Sequence, residues 1–197
     1  MRHLVIVLCA LTLVVGCSAS PEQKKPEAPK TVVVGSQAPE FKINNTDGEE
    51  SDLATRTANG PVLVRLTCGC LGCDKELAYF QSIHKSYKEK GLTSLAIFRE
   101  PDEKVEQYVK GKSLNMLYAV DAKGESWGVF QTKTMPTNFL IDQGGRIESI
   151  AAGCDPSGLV AKQLSSDVAG LLETQAIDPQ AAVHRQSEAD EAAPKSD

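Results

Sequence analysis

The sequence Pro61-Val62-Leu63-Val64-Arg65-Leu66 leads, after three residues, into Cys70-Leu71-Gly72-Cys73, and these two segments are the strongest structural signal in the chain. The first is a mainly apolar run whose length fits a buried strand. After the second, apolar residues recur at the spacing of a helix, at Leu77, Phe80, Ile83 and Tyr87. Cys70 therefore lies where a strand passes into a helix.

The position of Cys70 at a predicted helix N-terminus has a chemical consequence. Unpaired backbone N–H groups and the helix dipole stabilise a thiolate there, and they lower the pKa of the thiol. Cys73 follows one turn later, close enough to form a disulfide with Cys70. This arrangement predicts a redox-active dithiol, and a static structural disulfide is the alternative.

Strand and helix patterns alternate along the rest of the chain. A turn at Thr46-Asp47-Gly48 joins two short strands and predicts an N-terminal β-hairpin. Further strands are expected at 62–67, 92–98, 117–120, 137–141 and 146–151, and helices at 71–90, 101–110, 125–130 and 155–172. This order predicts an α/β fold with a central mixed sheet that helices flank.

The two ends of the chain differ in composition from the middle. Residues 1–16 combine Arg2 and His3 with an apolar run that is too short to span a membrane, which predicts an export signal. The segment Val14-Val15-Gly16-Cys17 resembles a bacterial lipobox, and the resemblance implies lipidation of Cys17. Residues 17–30 then form a proline-punctuated flexible linker, residues 31–174 the domain, and residues 175–197 a disordered acidic tail, with a marginal helix within 179–186 as the alternative.

The charge balance bears on the kind of partner. The chain has 21 Lys and Arg against 26 Asp and Glu, a net charge of −5. A nucleic-acid partner is therefore not expected. Any association with a membrane is expected to come from the lipid on Cys17.

The order of elements and four sequence segments resemble the thioredoxin superfamily, in particular its TlpA/ResA-like and redoxin (AhpC/TSA-like) envelope lipoproteins. The segments are 35–41 (GSQAPEF), 70–77 (CLGCDKEL), 135–142 (MPTNFLID) and 144–147 (GGRI). The resemblance implies a thioredoxin-like fold with Cys70 as the attacking thiol and Cys73 as the resolving thiol. It also implies a cis-proline at Pro136 that binds the substrate chain together with Met135 and Gly153.

The sequence departs from the family pattern at several positions. Gly69 stands where an aromatic residue is usual, and Leu71-Gly72 replaces the usual proline-containing pair. Val64 occupies the place of a buried acid, so no acid is expected to move a proton to Cys73. Arg65 is expected to extend from its strand to solvent, and stabilisation of a thiolate is the alternative.

Two further cysteines, Cys68 and Cys154, are candidate accessory thiols. Cys68 lies two residues before Cys70, and Cys154 follows the last predicted strand at Gly153. A Cys68–Cys154 disulfide, a relay role for Cys154, simple packing and metal binding all remain open.

The function predicted from these residues is disulfide exchange with envelope proteins by a membrane-anchored thiol-disulfide oxidoreductase. Its partners are protein thiol or disulfide substrates and a redox partner protein, and neither a cofactor nor a metal is expected. A peroxiredoxin-like thiol peroxidase is one alternative, since Thr67 precedes Cys70 at the peroxidase spacing, but Leu63 and Pro136 replace the expected proline and arginine. Copper binding by the cysteines is the other alternative.

Overall fold

The computed structural model describes residues 31–44 and 48–192. Its first strands, β1 (Lys42–Asn44) and β2 (Glu50–Asp52), pair antiparallel and confirm the predicted hairpin. Most of the predicted turn between them, and the predicted signal peptide, linker and lipidated Cys17, lie outside the described residues.

The central sheet has five strands in the order β5-β4-β3-β6-β7. They are β3 (Val62–Thr67), β4 (Thr93–Phe98), β5 (Leu117–Val120), β6 (Thr137–Ile141) and β7 (Ile147–Ala152). β3, β4 and β5 run parallel, β6 pairs antiparallel with β3, and β7 pairs antiparallel with β6. The predicted mixed sheet is confirmed.

Helices cover both faces of this sheet. They are α1 (Leu53–Asn59), α2 (Leu71–Tyr87), α3 (Asp102–Gly111), α4 (Glu125–Val129), α5 (Leu159–Leu171) and α6 (Pro179–Ala192). A single 3₁₀ turn (Lys88–Lys90) extends α2, and Gly91 follows it in the left-handed region with φ of 110°. The first long helix therefore ends where the sequence predicts.

Strand β3 is the centre of the core, and all six of its residues are buried. Val64 and Leu66 point to the face that carries Trp127 and Phe139, whereas Leu63 shares a cluster with Phe80 of α2 on the opposite face. Because side chains alternate along a strand, Arg65 points to the α2 face with Leu63. The continuous apolar run around Arg65 reflects burial on both faces.

Helix α1 was not predicted from the sequence. Its N-cap is Asp52, whose carboxylate accepts hydrogen bonds from the backbone N–H groups of Ala54 at 2.9 Å and Thr55 at 3.4 Å. Leu53 and Thr57 are the buried residues of this short helix. Two buried positions in seven residues give too weak a periodicity to identify a helix.

The predicted disordered tail is corrected for most of its length, because α6 forms within it. Asp178 caps this helix by accepting the N–H of Gln180 at 3.1 Å, and it pairs with Lys162 of α5 at 2.9 Å. Tyr87 of α2 accepts the N–H of Ile177 at 2.9 Å just before the helix begins. These polar contacts hold a segment that lacks a strong apolar stripe, which is why composition alone predicted disorder.

None of the helices in residues 31–44 and 48–192 is both long and apolar enough to cross a membrane.

Candidate active site: a cluster of three thiols

Three cysteine sulfurs meet where β3 passes into α2. Cys68 follows the strand, Cys70 is the N-cap of α2, and Cys73 lies in its first turn. The Sγ atoms of Cys68 and Cys70 are 2.7 Å apart, those of Cys68 and Cys73 are 3.4 Å apart, and those of Cys70 and Cys73 are 3.6 Å apart. All are free thiols.

The three thiols differ in their exposure to solvent. Cys70 is exposed, Cys68 is half-buried, and Cys73 is buried with 2% of its surface accessible. Cys70 is therefore the most solvent-accessible of the three sulfurs. Cys73 lies beneath it, shielded from large reagents.

The electrostatics of the cluster favour a thiolate at Cys70. A hydrogen bond from the Cys68 thiol, together with bonds from the backbone N–H groups of Cys73 and Gly72, holds the pKa of Cys70 below its ordinary value. Burial raises the pKa of Cys68, and its hydrogen bond to Cys70 raises it further. Cys68 therefore keeps its proton and donates the hydrogen bond, and Cys70 accepts that bond and carries the negative charge.

Cys154 lies beside this cluster but is not a member of it. Among the described residues, only Cys68, Cys70 and Cys73 bring three potential metal ligands within 4.8 Å of one another. The Cys154 sulfur instead lies close to Gly72, since a Cβ placed on that glycine would come within 2.7 Å of it. Burial and the nearby charge of Cys73 raise the pKa of Cys154. The glycine of the CxxC segment leaves room for this thiol.

A buried ion pair forms the floor of the site. Arg65 is 2% exposed and donates to Glu76 at 2.9 Å, to the Asn138 side chain at 2.9 Å and to the Cys73 carbonyl at 3.3 Å. Its guanidinium also lies 4.1 Å from the ring centre of Phe80. The expectation that Arg65 reaches solvent is wrong, because its guanidinium finds its hydrogen bonds and its ion pair inside the core.

Glu76 connects the dithiol helix to the Cys154 loop. One carboxylate oxygen accepts from Arg65 and the other accepts the backbone N–H of Asp155. Glu76 is 1% exposed and occupies the position three residues after Cys73 on the buried face of α2. The family pattern places a buried acid at position 64, so Glu76 was not predicted.

Neither Glu76 nor Asn138 was predicted from the sequence. The sequence does contain a signal for Glu76, but none for Asn138. Positions 76, 80, 83 and 87 continue the buried stripe of α2. A glutamate on that stripe requires a buried partner of opposite charge, and Arg65 in an apolar strand is the matching signal. Nothing in the sequence near Asn138 distinguishes it from a polar residue at a sheet surface.

The predicted substrate-binding residues come together on one side of the cluster. The Met135–Pro136 peptide bond is cis, as the family resemblance implies. The Pro136 carbonyl accepts the backbone N–H of Gly153 at 2.8 Å, which brings the Cys154 loop next to it. The pairing of Leu66 with Thr137 places Pro136 at the level where β3 ends and the cysteine segment begins.

A groove of about 540 Å³ lies on the other side of Cys70. Its lining includes Gly69, Glu100 and Tyr108. Glu100 accepts the backbone N–H of Gly69 at 2.7 Å and so fixes the residue between Cys68 and Cys70. Tyr108 donates to Asp74 of α2 at 3.0 Å, which ties α3 to the start of the dithiol helix.

A mixed five-stranded sheet with flanking helices, and a cysteine pair at the start of a long helix, define a protein of the thioredoxin superfamily. The chain belongs to the AhpC/TSA family, which matches residues 34–150.

Individual relatives agree with this assignment. Thiol-disulfide oxidoreductase ResA of Bacillus thuringiensis subsp. konkukian (strain 97-27) is 31% identical over 115 residues, which are 58% of this chain and 66% of ResA. ResA of Geobacillus kaustophilus is 28% identical over 136 residues, 68% of this chain and 78% of that protein. The chain thus spans just under two thirds of the length of the first of these relatives.

The fold agrees with a solved structure as well. A Chlorobium tepidum protein assigned as thiol:disulfide interchange protein DsbE superposes with a TM-score of 0.66 at 22% identity. The superposition covers 72% of this chain and 99% of that one. This likeness supports the thioredoxin-like fold.

Proposed function

We propose that this protein is an envelope thiol-disulfide oxidoreductase that exchanges disulfides with other proteins through Cys70 and Cys73. One observation carries the proposal: an exposed thiol with a lowered pKa lies 3.6 Å from a buried thiol at the start of one helix. The names of the ResA relatives support the same activity.

The reaction transfers two electrons to a substrate disulfide. The Cys70 thiolate attacks one substrate sulfur, the substrate S–S bond breaks, and the departing sulfur takes up a proton. Cys73 then loses its proton and attacks the Cys70 sulfur of the mixed disulfide. The second substrate sulfur leaves as a thiol, and the Cys70–Cys73 disulfide remains. The reverse sequence oxidises a substrate dithiol.

The surface around Pro136 is the proposed binding site for the substrate chain. Met135, Pro136 and Gly153 lie together next to the cysteine segment. A substrate bound there as an extended chain presents its disulfide to the exposed Cys70. The substrates are protein thiols or disulfides, and a separate redox protein regenerates the dithiol.

The location completes the proposal. Residues 1–16 serve as a lipoprotein signal, and lipid on Cys17 anchors the domain through the linker 17–30. The composition of these segments supports this part of the proposal.

The test is a redox titration of the full chain. Protein equilibrated without metal across a glutathione series is alkylated, and each free thiol is located by peptide mass spectrometry. We expect Cys70 and Cys73 to titrate together as a two-electron couple. The variant Cys70→Ser should lose disulfide exchange with a model protein disulfide, whereas Cys154→Ser should retain the couple. A Cys70–Cys73 pair that never titrates would refute the proposal, and efficient peroxide consumption with poor disulfide exchange would favour the thiol peroxidase.

A further inference from the structure

Dithiol exchange uses two of the three clustered sulfurs and leaves Cys68 without a role in electron transfer. Yet the Cys68 sulfur lies nearer to each partner than those partners lie to each other, at 2.7 Å and 3.4 Å against 3.6 Å. Cys68 follows the end of β3, and Cys70 and Cys73 lie at the start of α2. Their convergence on one point is a property of the fold.

We infer that the reduced protein binds one Cu(I) ion through Cys68, Cys70 and Cys73. This inference concerns a metal-bound state and stands apart from the redox reaction. The described residues offer no other group of this kind: only these three side chains bring three potential ligand atoms within 4.8 Å of one another.

The sulfur positions fit a three-coordinate ion after one small movement. A metal–sulfur bond of about 2.3 Å places three sulfurs around one ion at about 3.8–4.0 Å from one another. The distances from Cys73 to Cys68 and to Cys70, 3.4 Å and 3.6 Å, are close to that range. The pair Cys68–Cys70 must open by about 1 Å, which a change of χ1 at the exposed Cys70 permits.

The donor set selects the metal. All three ligands are thiolates, which are soft donors that prefer Cu(I), zinc or iron–sulfur clusters. Zinc takes four ligands in nearly all structural sites, and Cys154, the nearest further sulfur, is not in the group. Cu(I) accepts three thiolates in a plane and needs no fourth ligand. The geometry therefore favours Cu(I) over zinc.

The surroundings support an anionic cluster of sulfurs. The backbone N–H groups of Gly72 and Cys73 point to the Cys70 sulfur and stabilise negative charge there. The Arg65 guanidinium lies below, bonded to the Cys73 carbonyl at 3.3 Å. Binding forms three Cu–S bonds and releases one proton from each thiol that is still protonated. No electron is transferred, so the step needs neither an oxidant nor a reductant.

Metal binding and disulfide formation exclude each other. A Cys70–Cys73 disulfide removes two of the three ligands, whereas bound Cu(I) occupies the attacking thiol. The oxidation state of the dithiol thus determines whether the ion is held or released.

The experiment is an anaerobic titration of the reduced full chain with Cu(I) supplied as its bicinchoninate complex. All samples carry Cys9→Ser and Cys17→Ser, so that only four cysteines remain. We expect one Cu(I) per chain and a Cu–S coordination number of three by X-ray absorption. Bound copper should protect Cys68, Cys70 and Cys73 from alkylation and leave Cys154 reactive.

Single variants identify the ligands. Cys68→Ser should weaken Cu(I) binding at least tenfold, and Cys154→Ser should change it by less than twofold. Failure to withdraw Cu(I) from bicinchoninate, two sulfurs by X-ray absorption, or unchanged binding by Cys68→Ser would each overturn the inference. Preference for Zn(II) over Cu(I) would do the same. The glutathione titration contains no metal, so its result and this one are independent.

Discussion

Arg65 and Glu76 form an ion pair inside the core, where almost none of their surface is exposed to solvent. Each side chain is at most 2% exposed. The remaining N–H groups of Arg65 donate to Asn138 and to the Cys73 carbonyl, and the second carboxylate oxygen of Glu76 accepts the Asp155 N–H. Loss of one member of a buried pair leaves an uncompensated charge, whereas replacement of both by apolar residues removes the cost of burying them.

We expect Glu76→Ala to lower the free energy of unfolding by about 3–5 kcal/mol, because Arg65 then remains buried without its carboxylate. The double variant Arg65→Met, Glu76→Leu should be more stable than Glu76→Ala alone. Urea denaturation of the reduced protein measures both. Lys42→Ala, which breaks exposed ion pairs with Glu50 and Asp52, is the control and should have little effect. A double variant that is no more stable than Glu76→Ala would contradict this account of the pair.

The Cys68 thiol has a second testable effect, on the acidity of Cys70. Its hydrogen bond is the largest cause of the lowered Cys70 pKa. In Cys68→Ala that donor is gone, so the Cys70 pKa rises and less thiolate is present at neutral pH. The pH profile of Cys70 alkylation, followed by peptide mass spectrometry in reduced protein without metal, should shift to higher pH. Cys154→Ala is the matched control, and an identical shift in that variant would count against the hydrogen bond.

At the scale of elements, regular patterns were predictable and polar contacts were not. Strand β6 (Thr137–Ile141) was predicted at its observed bounds, and α2 with its 3₁₀ turn ends at Gly91 as expected. Helix α5 begins at Leu159 rather than near Asp155, because Gly158 is left-handed with φ of 80°, and the Asp155 carboxylate accepts the N–H of Val160 from outside the helix. Apolar periodicity specifies buried elements, but the capping and packing of short or polar helices depend on partners distant in sequence.

Helix α6 is joined to α2 through the Tyr87 hydroxyl. This buried group contacts Ser165 Oγ at 2.9 Å and accepts the N–H of Ile177 at 2.9 Å. The segment from Gln175 onward is therefore part of the folded structure up to the end of α6. The contact between Tyr87 and the segment before α6 can be tested by a substitution at Tyr87 and by removal of the chain after Thr174.

We expect Tyr87→Phe to lower the free energy of unfolding by about 1–3 kcal/mol, since it leaves buried polar groups unpaired. Tyr79→Phe is the matched control, because its hydroxyl donates to the Pro156 carbonyl at 3.3 Å in a solvent-exposed setting, and it should cost less. In a chain that ends after Thr174, the added effect of Tyr87→Phe should be smaller, because Ile177 is then absent. Equal effects in both chains would show that α6 is not held through Tyr87. Thermal and urea denaturation provide the comparison.

Across the whole molecule, burial decreases from β3 toward the periphery. β3 lies in the middle of the sheet with β4 and β6 on either side, whereas β1 and β2 form a separate two-stranded sheet. Local opening requires less free energy where fewer apolar contacts break.

Amide hydrogen exchange should show this gradient directly. The N–H groups of β3 and its two neighbours should exchange slowest, at the rate set by global unfolding, and those of the β1–β2 hairpin much faster. Mass spectrometry of peptides after timed labelling checks the order. A hairpin that is protected as strongly as β3 would mean that it unfolds together with the sheet.

The thiol cluster also lies close together along the chain, from Cys68 to Cys73. Any disulfide within it closes a loop of at most six residues, so it restricts the unfolded chain far less than a bridge between distant segments. Cycles of oxidation and reduction at this centre are therefore expected to leave chain folding largely unaffected. An unfolded chain can acquire this bond before it folds, and it can still reach the same native topology.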